Sequence, residues 1–258
     1  MSNIFNLTDF TNIKKNIDNK GYAIIKDVFS SEELKNCEKR LLDILHYIHP
    51  EKISDLNTKY FQVKAYNMKL KGNFFDMLQH EVSVLKLLNK DKVTDIVRKY
   101  FNSEVVFSGR PTIHIHDSDN ERYLEPHQET NQFARDFLLF WSPIYDANLD
   151  QGSISIYEGS HKKGYFEHTA ENSLGSSHVN KEIYGKFKMR VLDVKAGNAV
   201  LIHSATIHGT WPTKKKGHVK YILCDRLNPL QKIPYLKDPE FKTMKIPHFG
   251  IDYNSIKD

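Results

Sequence analysis

FWSPIYDANLDQGSISIYEGSHKKG, residues 140–164, decides the fold class of this chain. With the three residues before it, the stretch holds two short apolar runs, FLLFWSPI and GSISIY. A turn at Asp150-Gln151-Gly152 separates them, and Gly159-Ser160 ends the second. Asp, Gly and Ser supply turn geometry, while β-branched and aromatic residues suit a pleated, half-buried surface. The same texture continues outward. EVVFSGRPTIHIH lies upstream, and KMRVLDV, NAVLIHSATIHG and VKYILCD lie downstream, with Ala196-Gly197-Asn198 as a further turn. Many short strands punctuated in this way predict a β-barrel or sandwich.

Before about residue 104 the period changes. Residues 8–20 predict a helix that Thr8 or Asp9 caps and Gly21 stops. YAIIKDVF then reads as a strand. Ser30 and Ser31 precede EELKNCEKRLLDILHYI, in which Leu34, Cys37, Leu41, Ile44, Leu45 and Ile48 share one helical face. Residues 80–101 predict one or two more helices. The polar segment 161–188 interrupts the strands as a lid or an insertion. With no repeat or linker, one domain over 1–258 is expected: a helical part over about 1–103, a β core over about 104–228 and a C-terminal extension over 229–258. The class is α+β, mainly β with flanking helices.

Of the 258 residues, 40% are hydrophobic and 27% charged, an ordinary globular balance. No apolar run approaches the roughly 20 residues that cross a membrane, and MSNIFNLTDFTNIKK lacks the pattern of a signal peptide. A cytoplasmic location and no membrane partner are expected. The net charge of +5 is scattered in short Lys runs such as 214–216, so nucleic acid is not an expected partner. Cys37 and Cys224 form no C-x-x-C pair and are expected to be buried and reduced. Oligomeric state is not legible.

The chemistry centres on EPHQETNQF, residues 125–133. Side chains at i and i+2 of a strand share a face, so His127 and Glu129 converge on one ion if the segment is extended, as Pro126 favours for the residue before it. A third ligand has to come from elsewhere among the 13 histidines. His208, at the end of a strand in GNAVLIHSATIHGTWP, can point into a barrel mouth. His203 lies deeper and reads equally as a core histidine. Two imidazoles and one carboxylate on an octahedral ion leave about three positions open, the facial arrangement of non-haem Fe(II) oxygenases. Mn, Co or Zn would also fit such a set.

These pieces, in this order, resemble the phytanoyl-CoA dioxygenase family of Fe(II)- and 2-oxoglutarate-dependent oxygenases. NKGYAIIKDVFSSEELKNCEKRL resembles its opening strand and helix, and PHQE its first metal motif. FWSPIYDANLDQGSISIYEGSHKKG resembles its central signature, and HSATIHGTWP the segment with the distal histidine; together they span about residues 19–226. The resemblance implies a double-stranded β-helix, a cupin-like jelly-roll barrel. It implies His127, Glu129 and His208 as metal ligands, although an aspartate is usual where Glu129 stands.

A second departure concerns the co-substrate. The family usually places an arginine about eleven residues after the distal histidine, where Val219 stands here with Lys220 adjacent. Lys220 is the expected anchor for the far carboxylate of 2-oxoglutarate, and Arg226, on the same face, is the next candidate. Thr210 matches the family's hydroxyl beside that carboxylate. Trp141 matches a barrel position, where it also reads as a core aromatic. Arg110, Thr112, His114 and His116 alternate on one strand face: turned inward they line the pocket, turned outward they are solvated. His114 is the candidate on the co-substrate side. Arg110, His116 and Gln132 are candidates for the substrate, a polar, anionic small molecule. His161 reads as structural; His168, His178 and His218 read as exposed.

The expected activity is hydroxylation of a C–H bond, using Fe(II), 2-oxoglutarate and O2 and releasing succinate and CO2. A cupin-like isomerase or lyase, and a non-catalytic metal-binding barrel, are the alternatives.

Overall fold

Asp9 starts the first helix, α1 (Phe10–Lys20), by accepting the Asn12 N–H. Gly21 ends it at φ 89°, a left-handed position that a glycine takes without steric strain. Ser30 starts the longest, α2 (Ser31–Ile48), through a capping box. Its hydroxyl accepts the Glu33 N–H at 3.2 Å, and the Glu33 carboxylate accepts the Ser30 N–H at 2.9 Å. This is a computed structural model describing residues 3–109, 111–119, 124–129, 134–169 and 178–233. Arg110, Gln132 and the end of the C-terminal extension lie outside the described residues, as does the middle of the 161–188 segment.

The 80–101 region forms two helices, α5 (Val82–Leu88) and α6 (Asp91–Phe101). Before them lie α3 (Leu56–Tyr66) and α4 (Met68–Leu78), in a stretch to which sequence pattern assigned no element. A short α7 (Lys181–Tyr184) lies in the polar segment. Among the described residues no helix is long and apolar enough to cross a membrane.

The strands are β1 (Ile4–Phe5), β2 (Tyr22–Ile25), β3 (Val106–Ser108), β4 (Thr112–Asp117), β5 (Leu138–Pro143) and β6 (Ser153–Glu158). They continue with β7 (His168–Thr169), β8 (His178–Val179), β9 (Lys188–Val191), β10 (Ala199–His203), β11 (His208–Trp211) and β12 (Val219–Pro229). One sheet runs β1-β2-β10-β5-β12, and the eleven-residue β12 carries both β3 and β4 along its far edge. That is why EVVFSGRPTIHIH divides in two. A second sheet runs β11-β6-β9, and β7 pairs with β8.

Side-chain parity explains the continuous burial of the large sheet. Ala23, Ile25, Leu138, Phe140, Ala199, Leu201, Tyr221 and Leu223 face the helices and join Ile13, Ile17, Leu41 and Leu45 in one core. Their neighbours Tyr22, Ile24, Leu139, Trp141, Val200, Ile202, Ile222 and Cys224 face the other way. They meet Ile154 and Ile156 of the second sheet and form a second core. Each large aliphatic or aromatic side chain so buried contributes about 1.5–3 kcal/mol of transfer free energy. The two facing sheets make the expected jelly roll, with helices packed on its outer face.

Candidate metal centre and co-substrate pocket

The segment carrying His127 and Glu129 meets β11 at one bridge, beside which Thr210 donates its N–H to the Leu124 carbonyl at 2.8 Å. His127 donates its backbone N–H to the His208 carbonyl at 2.8 Å, and His208 donates to the His127 carbonyl at 2.9 Å. Directly paired residues place their side chains together, and the two imidazole centroids lie 4.5 Å apart. Each ring is fixed by its other nitrogen. His127 Nδ1 lies 2.7 Å from the Glu125 carbonyl, and His208 Nδ1 lies 2.9 Å from the Thr206 carbonyl. A carbonyl only accepts, so these contacts assign the proton to Nδ1 and leave each neutral ring with a lone pair on Nε2.

Both Nε2 atoms face the Glu129 carboxylate, at 3.8 Å for His127 and 3.9 Å for His208, and both distances end on Oε1. Three ligand atoms, one from each residue, lie within 4.8 Å of one another. Burial, and then the neighbouring His127, lower the His208 pKa to about 4, so it stays neutral at physiological pH. Burial pushes the Glu129 carboxyl up, but the Arg226 guanidinium and then His127 override it and hold the group well below the usual carboxylate range. A carboxylate and two imidazoles that present Nε2 toward it suit a divalent cation, and mixed N/O donors suit iron.

Gln128 faces the opposite side, as strand parity requires. Its amide donates to the Ala205 carbonyl at 2.6 Å and the Gly164 carbonyl at 2.9 Å, and its oxygen accepts the Phe166 N–H at 2.8 Å. It ties the metal motif to the start of the polar 161–188 segment. Val179 of β8 also donates its N–H to the Pro126 carbonyl at 2.8 Å. The described part of that segment therefore packs on the motif. The reading of the sequence did not single out Gln128; the signal available was its place between two same-face ligands.

The three residues open into a cavity whose lining contains Thr210, His114, His116, Trp141, Lys220 and Arg226. The face of β4 carrying His114 and His116 thus turns inward. Burial, then Lys220 and His114, hold the His116 imidazole well below its ordinary pKa. Trp141 belongs both to the inter-sheet core and to the pocket wall.

Lys220 stands opposite His116 on β12 and is 5% exposed. Its ammonium donates to the Ser153 and Trp211 carbonyls, each at 3.1 Å, and among the described residues no carboxylate pairs with it. Burial lowers its pKa to about 7. Arg226, the alternative anchor, lies six residues further along β12, about 20 Å of strand. Its Nη2 reaches Glu129 Oε1 at 3.0 Å and its Nε reaches Oε2 at 3.2 Å.

His203 is at the end of β10 beside His161, outside the metal cluster, and its Nδ1 accepts the Ala205 N–H at 3.2 Å. His161 sits against the Asp18 carbonyl, in keeping with a structural role. His218 is buried at 5% exposure rather than exposed, because it sits beside the start of β12. His168 and His178 are partly buried. His168 Nε2 accepts the Gln128 N–H at 3.1 Å, and His178 lies 2.9 Å from a Glu125 carboxylate oxygen. Cys37 and Cys224 are both buried, as expected.

The fold is shared with solved proteins of low sequence identity. AviO1 from Streptomyces viridochromogenes Tue57 matches at TM-score 0.59 and 14% identity, over 88% of this chain and 97% of that one. The epimerase SnoN, in complex with Fe3+, alpha ketoglutarate and nogalamycin RO, matches at TM-score 0.59 and 12% identity, over 91% and 92%. In sequence, 1-deoxypentalenic acid 11-beta-hydroxylase of Streptomyces arenae is 23% identical over 209 residues, 76% of this chain and 72% of that protein. The family model for phytanoyl-CoA dioxygenase matches residues 17–216. The chain belongs to the phytanoyl-CoA dioxygenase family of Fe(II)- and 2-oxoglutarate-dependent oxygenases.

Proposed function

We propose that this protein hydroxylates a C–H bond of a small polar molecule. His127, Glu129 and His208 hold Fe(II), and Lys220 receives the far carboxylate of 2-oxoglutarate. The observation that carries this reading is one cavity holding two features: three ligand atoms from two imidazoles and a carboxylate within 4.8 Å of one another, and a buried ammonium that no carboxylate pairs with among the described residues. A charge buried without its counterion is unfavourable. A dianionic co-substrate supplies that counterion.

Each side chain has a part that follows from its surroundings. The carbonyls of Glu125 and Thr206 hold the two imidazoles in the tautomer that presents Nε2. Lys220, tethered by two strand carbonyls, offers its remaining N–H as a point charge; it lacks the bidentate fork of an arginine. Thr210, two residues beyond His208 on β11, lies on the same cavity wall as a hydroxyl for that carboxylate. His114 and Trp141 bound the co-substrate side, and the partly buried His116 stays neutral beside Lys220, so it does not compete for the anion. Leu139, Ile154 and Ile222 exclude water from the walls. Iron with 2-oxoglutarate and O2 supplies the oxidising power, with succinate and CO2 as co-products. The protein supplies geometry and a dry, shaped site.

The test is succinate release from 2-oxoglutarate with Fe(II) and ascorbate, across a panel of small polar and carboxylate-bearing candidates. Stimulation by one of them that disappears in His208→Ala supports the reading. Succinate formation that His208→Ala leaves unchanged refutes it.

A further inference from the structure

Glu129 departs from the aspartate usual in the family, and the structure supplies a partner for the longer side chain. The Arg226 guanidinium meets both carboxylate oxygens, Nη2 to Oε1 at 3.0 Å and Nε to Oε2 at 3.2 Å. Its Nη1 lies 3.4 Å from the Thr112 hydroxyl. The arginine is 5% exposed. Its backbone is fixed on both sides: the Arg226 N–H donates to the Asp225 carboxylate at 2.7 Å, and the Asn228 amide donates to the Arg226 carbonyl at 2.8 Å. Arg226 therefore presents its fork from a rigid, fully buried strand. Glu129 comes from a segment that meets β11 at the His127–His208 bridge and through the Thr210 N–H to the Leu124 carbonyl at 2.8 Å, and its own N–H donates to the Ser204 carbonyl at 3.2 Å.

We infer that Arg226 is the positioning residue for the carboxylate ligand, and that Glu129 and Arg226 act as one unit. The inference rests on the reading of Glu129 as a metal ligand. A glutamate has one more rotatable bond than an aspartate, and a bidentate guanidinium removes that freedom. Each carboxylate oxygen has two lone-pair sites. Oε1 serves the guanidinium with one and faces His127 and His208, at 3.8 and 3.9 Å, with the other. Oε2 meets Nε, and both imidazole distances end on Oε1, so Oε1 is the oxygen turned toward the metal position. An aspartate, one methylene shorter, cannot hold the guanidinium and face both imidazoles from the same backbone. The glutamate and the arginine belong together. Arg226 is a positioning residue and not the co-substrate anchor.

A rival account has the opposite sign. If Arg226 only competes with the metal for the carboxylate, its removal strengthens metal binding. The experiment is Mn(II) titration of the metal-free protein, read by calorimetry, for wild type, Arg226→Gln, Arg226→Lys, Glu129→Asp and the Glu129→Asp/Arg226→Gln double variant. His208→Ala is the control, and thermal melting checks each fold. The account expects Arg226→Gln to weaken Mn(II) binding tenfold or more, with 2-oxoglutarate affinity of the metal-saturated protein within twofold of wild type. Arg226→Lys keeps the charge without the fork and gives an intermediate loss. Glu129→Asp weakens binding rather than strengthening it, and the double variant loses no more than the worse single one. Mn(II) binding by Arg226→Gln that is unchanged or tighter overturns the inference. If that variant does not fold, Glu129→Asp decides, and binding as tight as wild type overturns it. Wild-type Mn(II) binding that His208→Ala leaves intact refutes the metal-site reading itself, and the inference with it.

Discussion

His127 and His208 are backbone partners, each donating its N–H to the other's carbonyl, at 2.8 and 2.9 Å. The pairing joins two residues 81 positions apart and sets the spacing of their imidazoles before any ion is present. Gly209 makes the approach possible: a Cβ there would stand 3.0 Å from the Leu124 carbonyl and 3.1 Å from the Pro126 nitrogen.

Gly209→Ala therefore has to move the metal motif away from β11. Mn(II) affinity is expected to fall at least tenfold. Stability is expected to drop by about 1–3 kcal/mol, the scale of an overpacked site. Isothermal calorimetry and chemical denaturation measure the two separately. Wild-type metal affinity in this variant would show that the bridge does not set the site.

Gln128→Ala leaves two carbonyls and the Phe166 N–H without their partner at the junction of the metal motif and the 161–188 segment. At about 1 kcal/mol per lost bond, with more for buried groups left unmet, the expected loss is about 2–4 kcal/mol. Gln128→Glu keeps the acceptor but not the donors and should be nearly as costly. Urea denaturation provides the number.

Lys220 makes stability and co-substrate binding depend on pH in opposite directions. Burial lowers its pKa to about 7 in the folded protein, against about 10.4 in an unfolded chain. Between those values the unfolded state holds the proton that the folded state has released. Stability of the metal-free protein thus rises with pH from about 7 to about 10, by up to about 1.4 kcal/mol per unit from this group. Binding of 2-oxoglutarate needs the charged form, so above about pH 7 its affinity falls, up to tenfold per unit. Lys220→Met removes the stability slope, and Lys220→Arg removes the slope in affinity. Denaturation and calorimetry at several pH values, each variant against wild type, check both signs.

Gly21→Ala tests the packing of α1 against the barrel. The residue has φ 89°, and a Cβ would land on the Thr206 hydroxyl and the His161 ring. A forced left-handed backbone plus a clash predicts a loss of about 1–3 kcal/mol, read as a lower melting temperature with metal affinity within twofold of wild type.

How much of this was legible in the sequence follows from side-chain parity. His127 and Glu129 share a face by i, i+2 spacing, and α2 shows its apolar stripe beside a clear capping signal; both were readable. β12 was not orientable from hydrophobicity, because Tyr221 and Leu223 meet the helices while Ile222 and Cys224 face the barrel. With both faces apolar, only the structure shows Lys220 turned inward. The Glu129–Arg226 pair spans 97 residues and depends on the register of β12 against its neighbours. Helix α3 was hidden because Lys59 interrupts its buried face. The ammonium is satisfied there by the His49 and Glu51 carbonyls and by Gln62, so a polar letter stands at an interior position.

The central claim is that one cavity joins a three-residue metal site to a lysine-anchored 2-oxoglutarate. Calorimetric titration of 2-oxoglutarate into the Mn(II)-loaded protein tests it most directly, with metal-free protein, Lys220→Ala and Lys215→Ala alongside. The account predicts one saturable site that requires the metal, a Lys220→Ala affinity at least tenfold weaker, and no change for the surface variant Lys215→Ala. Absence of 2-oxoglutarate binding with the metal site filled, or equal effects of the two lysine substitutions, would contradict it.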